Sequence, residues 1–222
     1  ILQLGKYITE LLNVCYISMN SIDFKRKRFK MILVKKGLNM RIIAGKAKGT
    51  KLYTLEGENT RPTLDRVKES LFNMIQNEIQ DAVFLDLFSG SGAIGLEAVS
   101  RGAKKAILCD QAKEACKIIK KNIEKTHALD NVELYQADFK EVLTNRIYEK
   151  MDIIFLDPPY KTDFAFEAVK MILEKDLLNK NAMIIIETDN DKILEKIENL
   201  NCEIKDIRKY GRAYLIFLKG IS

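Results

Sequence analysis

The 222-residue sequence has few of the residue types on which several common site chemistries depend. It contains a single histidine, His127, which argues against a catalytic triad and against a multi-histidine metal centre. We expect this histidine to face solvent at a helix end. The four cysteines are scattered with no CxxC pair, which argues against a zinc site and favours reduced thiols in a cytoplasmic protein. Because of this histidine and cysteine content, we expect no metal site. No apolar run is long enough to span a bilayer, so we expect no membrane partner.

Acidic residues are scarce at the start of the chain. Residues 1–40 contain eight lysines and arginines and only two acids, which accounts for the whole net charge of +6. The basic character is therefore local, and any nucleic-acid contact must be argued from clusters. Within residues 1–39 an apolar stretch precedes the basic run, which is the wrong order for a secretory signal. We expect residues 1–39 to be a dispensable extension, non-native or disordered; the alternative is a basic arm that binds RNA phosphates.

A change of pattern at Met40 predicts the start of the main domain, residues 40–222. Residues 41–53 indicate a β-hairpin, and we assign a small N-terminal hairpin unit to residues 40–60. Residues 41–53 contain four basic side chains and no acid; the four are Arg41, Lys46, Lys48 and Lys51. They either contact phosphates or protect a solvated hairpin edge.

A helix is predicted to open at Thr60-Arg61-Pro62-Thr63, with Thr63 as a plausible N-cap. Arg61 and Arg66 lie at or near its start, where the helix dipole favours acids instead. We expect Arg61 to reach substrate phosphate or to order the active-site loop; the alternative is a surface ion pair.

Residues 83–98 organise the rest of the chain. A short apolar run fit for a buried strand turns over Gly90, Gly92 and Gly95 into a helical pattern. Such a turn presents bare backbone N–H groups at a helix N-terminus. Asp110 follows where a second strand ends and can accept hydrogen bonds from two ribose hydroxyls. Together these features predict a nucleoside-bearing cofactor on a Rossmann-like sheet, against the alternative of a purely structural turn.

Apolar periodicity predicts seven strands and a series of alternating helices. The predicted strands are 82–87, 105–110, 132–136, 151–157, 182–187, 202–208 and 213–219. The predicted helices between them are 92–101, 111–126, 139–147, 163–175 and 190–199. This alternation predicts an α/β fold with a mostly parallel sheet and helices on both faces. Because residues 209–212 alone separate the last two strands, those strands should pair as an antiparallel hairpin.

Asp157-Pro158-Pro159-Tyr160 follows the fourth predicted strand, at the sheet edge where open α/β sheets bind ligands. The two prolines fix the backbone and remove two N–H donors. What remains is an acceptor-rich corner, made by the Asp157 carboxylate and the Pro158 carbonyl, beside the Tyr160 ring. Such a corner suits a planar group that carries an exocyclic amine.

Asp157–Tyr160 resembles the D/N-P-P-Y/F motif of S-adenosylmethionine-dependent amino-methyltransferases. Together with residues 41–45 (Arg-Ile-Ile-Ala-Gly), Arg61-Pro62-Thr63, residues 66–69 and the 85–95 motif, it resembles the RsmD family over residues 40–219. The resemblance implies a Rossmann-like class I methyltransferase fold with an antiparallel last strand. It also implies methylation of a guanine N2 in 16S ribosomal RNA, with S-adenosyl-L-methionine as the cofactor. Many relatives carry Glu at the position of Asp110.

The resemblance assigns roles to particular residues. The catalytic set is Asp157, Pro158, Pro159 and Tyr160. The cofactor set is Asp86, Phe88, Ser89, Gly90, Gly92, Asp110, Gln111, Asp138, Phe139 and Asp157. Of these, Asp86 and the glycine turn would hold the methionine part, Asp110 the ribose, and Asp138 with Phe139 the adenine. The simpler reading of Asp138 is a helix N-cap. The candidate RNA contacts are Arg41, Lys46, Lys48, Arg61 and Arg66.

The substrate implied is 16S rRNA within the small subunit or an assembly intermediate, and we expect a monomeric enzyme. A DNA or RNA adenine-N6 methyltransferase would use the same corner, but on DNA it needs a target-recognition region for which the chain has little room. An NAD-dependent oxidoreductase leaves Asp157–Tyr160 unexplained. A non-catalytic RNA-binding module leaves both motifs unused.

Overall fold

The computed structural model describes residues 40–54, 62–159 and 162–220, except for the side chains of residues 62–65. The strands are β1 (Val83–Asp86), β2 (Lys105–Asp110), β3 (Val132–Gln136), β4 (Met151–Leu156), β5 (Leu178–Thr188), β6 (Cys202–Tyr210) and β7 (Ala213–Gly220). The helices are α1 (Pro62–Met74), α2 (Ala93–Ser100), α3 (Lys113–Thr126), α4 (Phe139–Asn145), α5 (Phe164–Glu174) and α6 (Ile193–Ile197). A 3-10 turn, Leu129–Asn131, precedes β3. Within the described residues no helix is long and apolar enough to cross a membrane.

The seven strands form one sheet in the order β3-β2-β1-β4-β5-β7-β6. Pairs among β1 to β5 are parallel, because a helical crossover separates each consecutive pair of strands. β7 runs antiparallel to both β5 and β6. Only Gly211 and Arg212 connect β6 to β7, and Gly211 takes a φ of 63° in this tight turn. The predicted fold class and terminal hairpin are confirmed.

Two apolar clusters pack on opposite faces of the sheet. The first contains residues from α1, α2, α3 and the N-terminal hairpin, packed on alternate residues of β1, β2, β4, β5 and β7. The second contains residues from α4, α5 and α6, packed on the other residues of the same strands. Because both faces are covered, the central strands are apolar on both sides, as parallel sheets require. The carboxyl ends of these strands remain open at one edge.

Three element boundaries differ from the sequence-based expectation. Helix α1 begins at Pro62, so Thr63 lies inside the helix and its predicted role as N-cap is wrong. Proline is well suited to the first helical position because the N–H that it lacks has no helical partner there. β5 starts at Leu178, four residues earlier than predicted, and α6 covers only Ile193–Ile197. His127 is an exposed residue with φ 55° at the end of α3, as predicted.

The N-terminal hairpin is tied to α2 by the fully buried carboxylate of Glu97. Its two oxygens accept backbone N–H bonds from Ile43 (2.7 Å) and Ala44 (2.9 Å). The same carboxylate pairs with Lys68 (3.3 Å) and Arg101 (2.7 Å). The hairpin itself is minimal, with one antiparallel bridge between residues 41 and 51.

Candidate active site

The turn after β1 is shaped by glycines and one serine. Gly90 and Gly92 have φ of 53° and 78°, which L side chains rarely adopt. The Ser89 hydroxyl donates to the Asp86 carbonyl (2.6 Å) and accepts from the Cys109 N–H (2.9 Å). A Cβ at Gly95 would overlap the side chain of Leu108, so α2 approaches β2 closely only because glycine stands there. The structure therefore explains why glycine occupies all three positions of the motif.

Asp86, the last residue of β1, points its carboxyl group under the start of α2. It is 1% exposed and accepts one backbone hydrogen bond from Gly95 (3.1 Å). Burial raises the pKa of this carboxyl from 3.8 to about 7, and the nearby charge of Asp110 acts in the same direction. A buried carboxyl that is destabilised as an anion is a favourable partner for a cation that enters the site.

Asp110, at the end of β2, holds the glycine turn against the second strand. One carboxylate oxygen accepts from the Gly90 N–H (2.9 Å) and the other from the Ala112 N–H (2.8 Å). Each oxygen keeps a further lone pair for a ligand. Gln111, the next predicted cofactor residue, is exposed.

Asp138 follows β3 and is the N-cap of α4, because its side chain accepts the Lys140 N–H (2.8 Å). Phe139 is buried beside it and packs on Phe88 and Phe164, with ring centroids 5.2 Å away in both cases. Phe88 lies in the turn after β1, and Phe139 and Phe164 are the first residues of the helices that follow β3 and β4. The N-cap reading of Asp138 is confirmed, and one carboxylate oxygen remains for a ligand.

Asp157 and Pro158 lie directly after β4. Asp157 is exposed and Pro158 is buried. Pro159 is exposed, and its carbonyl accepts the Thr162 hydroxyl (2.7 Å). The predicted stacking residue, Tyr160, lies outside the described residues.

A single cavity of ≈ 1210 Å³ joins these segments at the carboxyl edge of the sheet. We define two of its sides. The glycine wall consists of Asp86, Ser89, Gly90, Asp110 and Asp138. The proline wall consists of Asp157, Pro158, Glu187 and Tyr210. Every residue of both walls lines the same cavity, so the two predicted motifs open onto one space.

Comparison with known proteins shows which family the chain belongs to. Residues 40–219 match the family model described as conserved hypothetical protein 95. The chain belongs to this family. Ribosomal RNA small subunit methyltransferase D of Haemophilus influenzae is 38% identical over 164 residues, which cover 72% of this chain and 84% of that protein. The resemblance to the RsmD family is thereby confirmed.

Solved structures agree with this family membership. The yhhF protein of Escherichia coli matches with a TM-score of 0.70 at 28% identity, covering 81% of this chain and 97% of that one. Precorrin-6y C5,15-methyltransferase of Geobacter metallireducens shares only 15% identity but has a TM-score of 0.61, over 80% of this chain and 97% of that one. The fold of this family member is thus the class I methyltransferase fold.

The structure explains the residues of the segment Arg41–Gly45. A Cβ at Gly45 would overlap the Ser100 carbonyl oxygen, and the Gly45 φ is 81°. The two residues before it donate to Glu97, so the segment docks the hairpin on α2. Of the predicted RNA contacts, Arg41, Lys46, Lys48 and Arg66 are exposed but do not line the large cavity. Arg61 lies outside the described residues.

Three of the cavity-lining residues that sequence reasoning missed stand next to the predicted motifs or complete their packing. Glu187 ends the apolar run of β5, and the carboxyl-end rule applied to that strand would have found it. Tyr210 reaches the cavity from the β6–β7 hairpin, where its hydroxyl shares a hydrogen bond with Ser70 of α1. Phe164 completes the aromatic cluster. No local pattern marks the last two, because they reach the cavity through tertiary packing.

Proposed function

We propose that this protein transfers a methyl group from S-adenosyl-L-methionine to the exocyclic N2 of a guanine in small-subunit (16S) ribosomal RNA. Family membership supports the activity, and the Haemophilus relative is named as a small-subunit rRNA methyltransferase. The observation that carries the proposal is that the glycine turn and the Asp157–Pro158 corner line one cavity. A methyl donor on one wall and an amine on the other would then meet.

The glycine wall fits the cofactor. Asp86 offers a buried carboxylate to the ammonium of the methionine part, beside the backbone of the glycine turn. The remaining lone pairs of Asp110 suit the ribose hydroxyls, and Asp138 with Phe139 suits the adenine. Phe88, Ser89 and Gln111 also line the cavity, whereas the predicted cofactor residue Gly92 does not. When bound, S-adenosylmethionine supplies an electrophilic methyl group.

Asp157 and Pro158 hold the substrate amine. The guanine N2 lone pair is delocalised into the ring and is a poor nucleophile. Hydrogen bonds to the Asp157 carboxylate and the Pro158 carbonyl favour a pyramidal nitrogen that directs its lone pair at the methyl carbon. Tyr160 would stack on the base and set its plane. Such positioning contributes roughly 7–11 kcal/mol in favourable systems.

No strong general base is required. The nitrogen that has gained the methyl group is cationic, so its surplus proton is acidic and leaves readily. The described residues instead supply acceptors that hold the amine before transfer. Because the base must leave its stack to enter the cavity, we expect a flipped-out or loop guanine.

The remaining assignments belong to the same proposal. The catalytic domain is residues 40–222, acting as a monomer on the small subunit or an assembly intermediate. Arg41, Lys46, Lys48, Arg61 and Arg66 would contact RNA phosphates, which carry most of the affinity in such complexes. The described cysteines are free thiols, which fits a cytoplasmic enzyme. Residues 1–39 would be dispensable, and deleting them should leave activity intact.

The test is methyl transfer from labelled S-adenosylmethionine to 16S rRNA, small subunits and DNA in parallel, followed by nucleoside analysis. N2-methylguanosine formed from rRNA or subunits is the expected product. N6-methyladenosine would instead support the adenine-N6 alternative, which uses the same corner. Absence of any labelled nucleoside would overturn the proposal.

A further inference from the structure

Glu187 is a buried acid next to the predicted catalytic corner. It is the penultimate residue of β5 and only 8% exposed. The parallel register pairs Leu156 of β4 with Ile186 of β5. Asp157 follows β4 directly and Glu187 follows Ile186 on β5, so the two acids start next to a strand pair whose backbones are about 4.8 Å apart.

Glu187 faces the α1 side of the sheet, and Asp157 lines the same cavity. Leu156 and Ile186 pack in the second apolar cluster, on the face covered by α4, α5 and α6. Because side chains alternate along a strand, Glu187, which follows Ile186 within β5, points to the α1 face. The antiparallel partner of Glu187, Leu215, packs in the first cluster and confirms this direction for Glu187. Glu187 accordingly lines the cavity.

No residue in the described part of the chain donates a hydrogen bond to the Glu187 carboxyl or pairs with it. Burial alone raises its pKa from 4.5 to about 7. The other ionisable groups lining the cavity are Lys68, Asp86, Cys109, Asp110, Asp138, Asp157, Asp189, Tyr210 and Arg212. The Lys68 amine is already bound to the Arg41 carbonyl and Glu97. A buried carboxylate without a donor is costly, which suits a site completed by its ligand.

We propose that Glu187 reads the N1–H of the target guanine and so selects guanine over adenine. This inference rests on the proposed function. Guanine presents N1–H beside its N2 amine, so two neighbouring donors would meet two neighbouring acceptor groups, Glu187 and the Asp157–Pro158 corner. Adenine presents an unprotonated N1 beside its amine, and at a pH above the Glu187 pKa of about 7 this lone pair would face the ionised Glu187 carboxylate. The site would then reject adenine by leaving a buried acceptor unpaired.

The test compares two acceptor RNAs. The methylated nucleotide is first located by nucleoside mapping of wild-type product. Small subunits are then assembled with splint-ligated 16S rRNA that carries either guanine or 2-aminopurine at that position. 2-Aminopurine keeps the 2-amine but has an unprotonated N1. Wild-type kcat/KM should favour guanine by at least about 100-fold, because a hydrogen bond to a buried charge is lost.

In Glu187→Gln the discrimination should fall by at least about tenfold, because the glutamine amide can donate to N1 of 2-aminopurine. The guanine to 2-aminopurine ratio of kcat/KM is compared between the wild type and each variant. This comparison cancels the effect of the missing O6 and of any general loss of activity. Glu187→Asp retains the charge and should retain more of the discrimination than Glu187→Gln. Glu195→Gln removes an exposed acid on α6 and should leave the ratio unchanged.

Binding of labelled S-adenosylmethionine reports whether each variant is folded. An unchanged guanine to 2-aminopurine ratio in a Glu187→Gln protein that binds cofactor normally would overturn the role of Glu187 while leaving the proposed function intact. Failure of wild-type protein to form N2-methylguanosine would instead overturn the proposed function itself. If Glu187→Gln does not fold, Glu187→Ala decides by the same measurement: a reduced guanine to 2-aminopurine ratio supports the role of Glu187, and a wild-type ratio overturns it.

Discussion

The two walls of the cavity are built in different ways. Hydrogen bonds in the glycine wall join residues close in sequence: Ser89 bonds to Asp86 three residues back, and Gly90 bonds to Asp110 at a separation of 20. The proline wall depends on contacts between distant segments. Tyr210 meets Ser70 at a separation of 140 residues.

This difference separates two kinds of function. The glycine wall is ordered by its own backbone and by the adjacent strands, so it can hold a cofactor before any substrate binds. The proline wall collects one residue or a few from each of several segments, and no described residue donates a hydrogen bond to its Glu187 carboxyl. Substitutions in the glycine wall should alter cofactor affinity, whereas those in the proline wall should alter transfer.

Asp157→Ala gives the largest expected effect. Methyl transfer should fall by about 10²–10³-fold or more, because the substrate amine loses a positioned acceptor. Cofactor affinity, measured by equilibrium binding, should change by less than about twofold. Asp163→Ala removes a nearby exposed acid and should leave both unchanged. Turnover retained by Asp157→Ala would break the assignment of the proline wall.

Asp86→Asn tests the glycine wall and should change cofactor affinity, which Asp157→Ala should leave nearly unchanged. Cofactor affinity should drop by about 10–100-fold, because the charge partner of the ammonium is lost. In the wild type, affinity should also fall as the pH drops below about 7, since Asp86 then becomes protonated. The variant should show a weaker pH dependence. Equilibrium binding between pH 6 and 8 measures both, and equal slopes would contradict this role.

The same substitution should stabilise the free protein at alkaline pH. The folded pKa of Asp86, about 7, lies above its ordinary value of 3.8. Between these values the folded state keeps a proton that the unfolded chain releases, so stability from this group declines as the pH rises through that window. At pH 8 the cost is at most about 4 kcal/mol. Urea unfolding should therefore show Asp86→Asn more stable than wild type at pH 8, with the gain disappearing near pH 4.

Comparing the stability of Gly45→Ala with that of Gly49→Ala tests how the N-terminal hairpin docks on α2. This hairpin borders the cavity through Met40. Both glycines have positive φ, 81° and 86°. A Cβ at Gly45 overlaps the Ser100 carbonyl, whereas one at Gly49 meets nothing within 4 Å. Gly49→Ala should cost about 1 kcal/mol of unfolding free energy from backbone strain, and Gly45→Ala about 3 kcal/mol. Equal losses in urea unfolding would show that the docking contact is unimportant.

Asp138→Ala gives the smallest expected effect. Loss of the α4 N-cap should lower the unfolding free energy by about 1 kcal/mol. Asp163 also precedes a helix, α5, but its side chain makes no cap hydrogen bond. Asp163→Ala should therefore cost less, since its exposed ion pair with Lys196 contributes little. A larger loss at Asp163 would reverse the comparison.

Sequence patterns predicted most strands to within one or two residues and the antiparallel end of the sheet. They succeeded because hydrophobic periodicity and a two-residue connection are local signals. They failed at the start of β5, where Asn179, Lys180 and Asn181 interrupt the apolar pattern although β5 begins at Leu178. They also gave no reason for the Arg41–Gly45 segment, which became clear only when Glu97 was seen beneath it.

By itself the sequence determined the class of fold and the composition of the glycine wall, because strand, turn and helix follow one another along the chain and their hydrogen bonds span few residues. Only the tertiary structure decided which side chains oppose Asp157. Glu187 and Tyr210 reach the cavity because sheet order places β5 beside β4 and packs the β6–β7 hairpin on α1. Those neighbours are set by the burial of both sheet faces, a property of the whole domain.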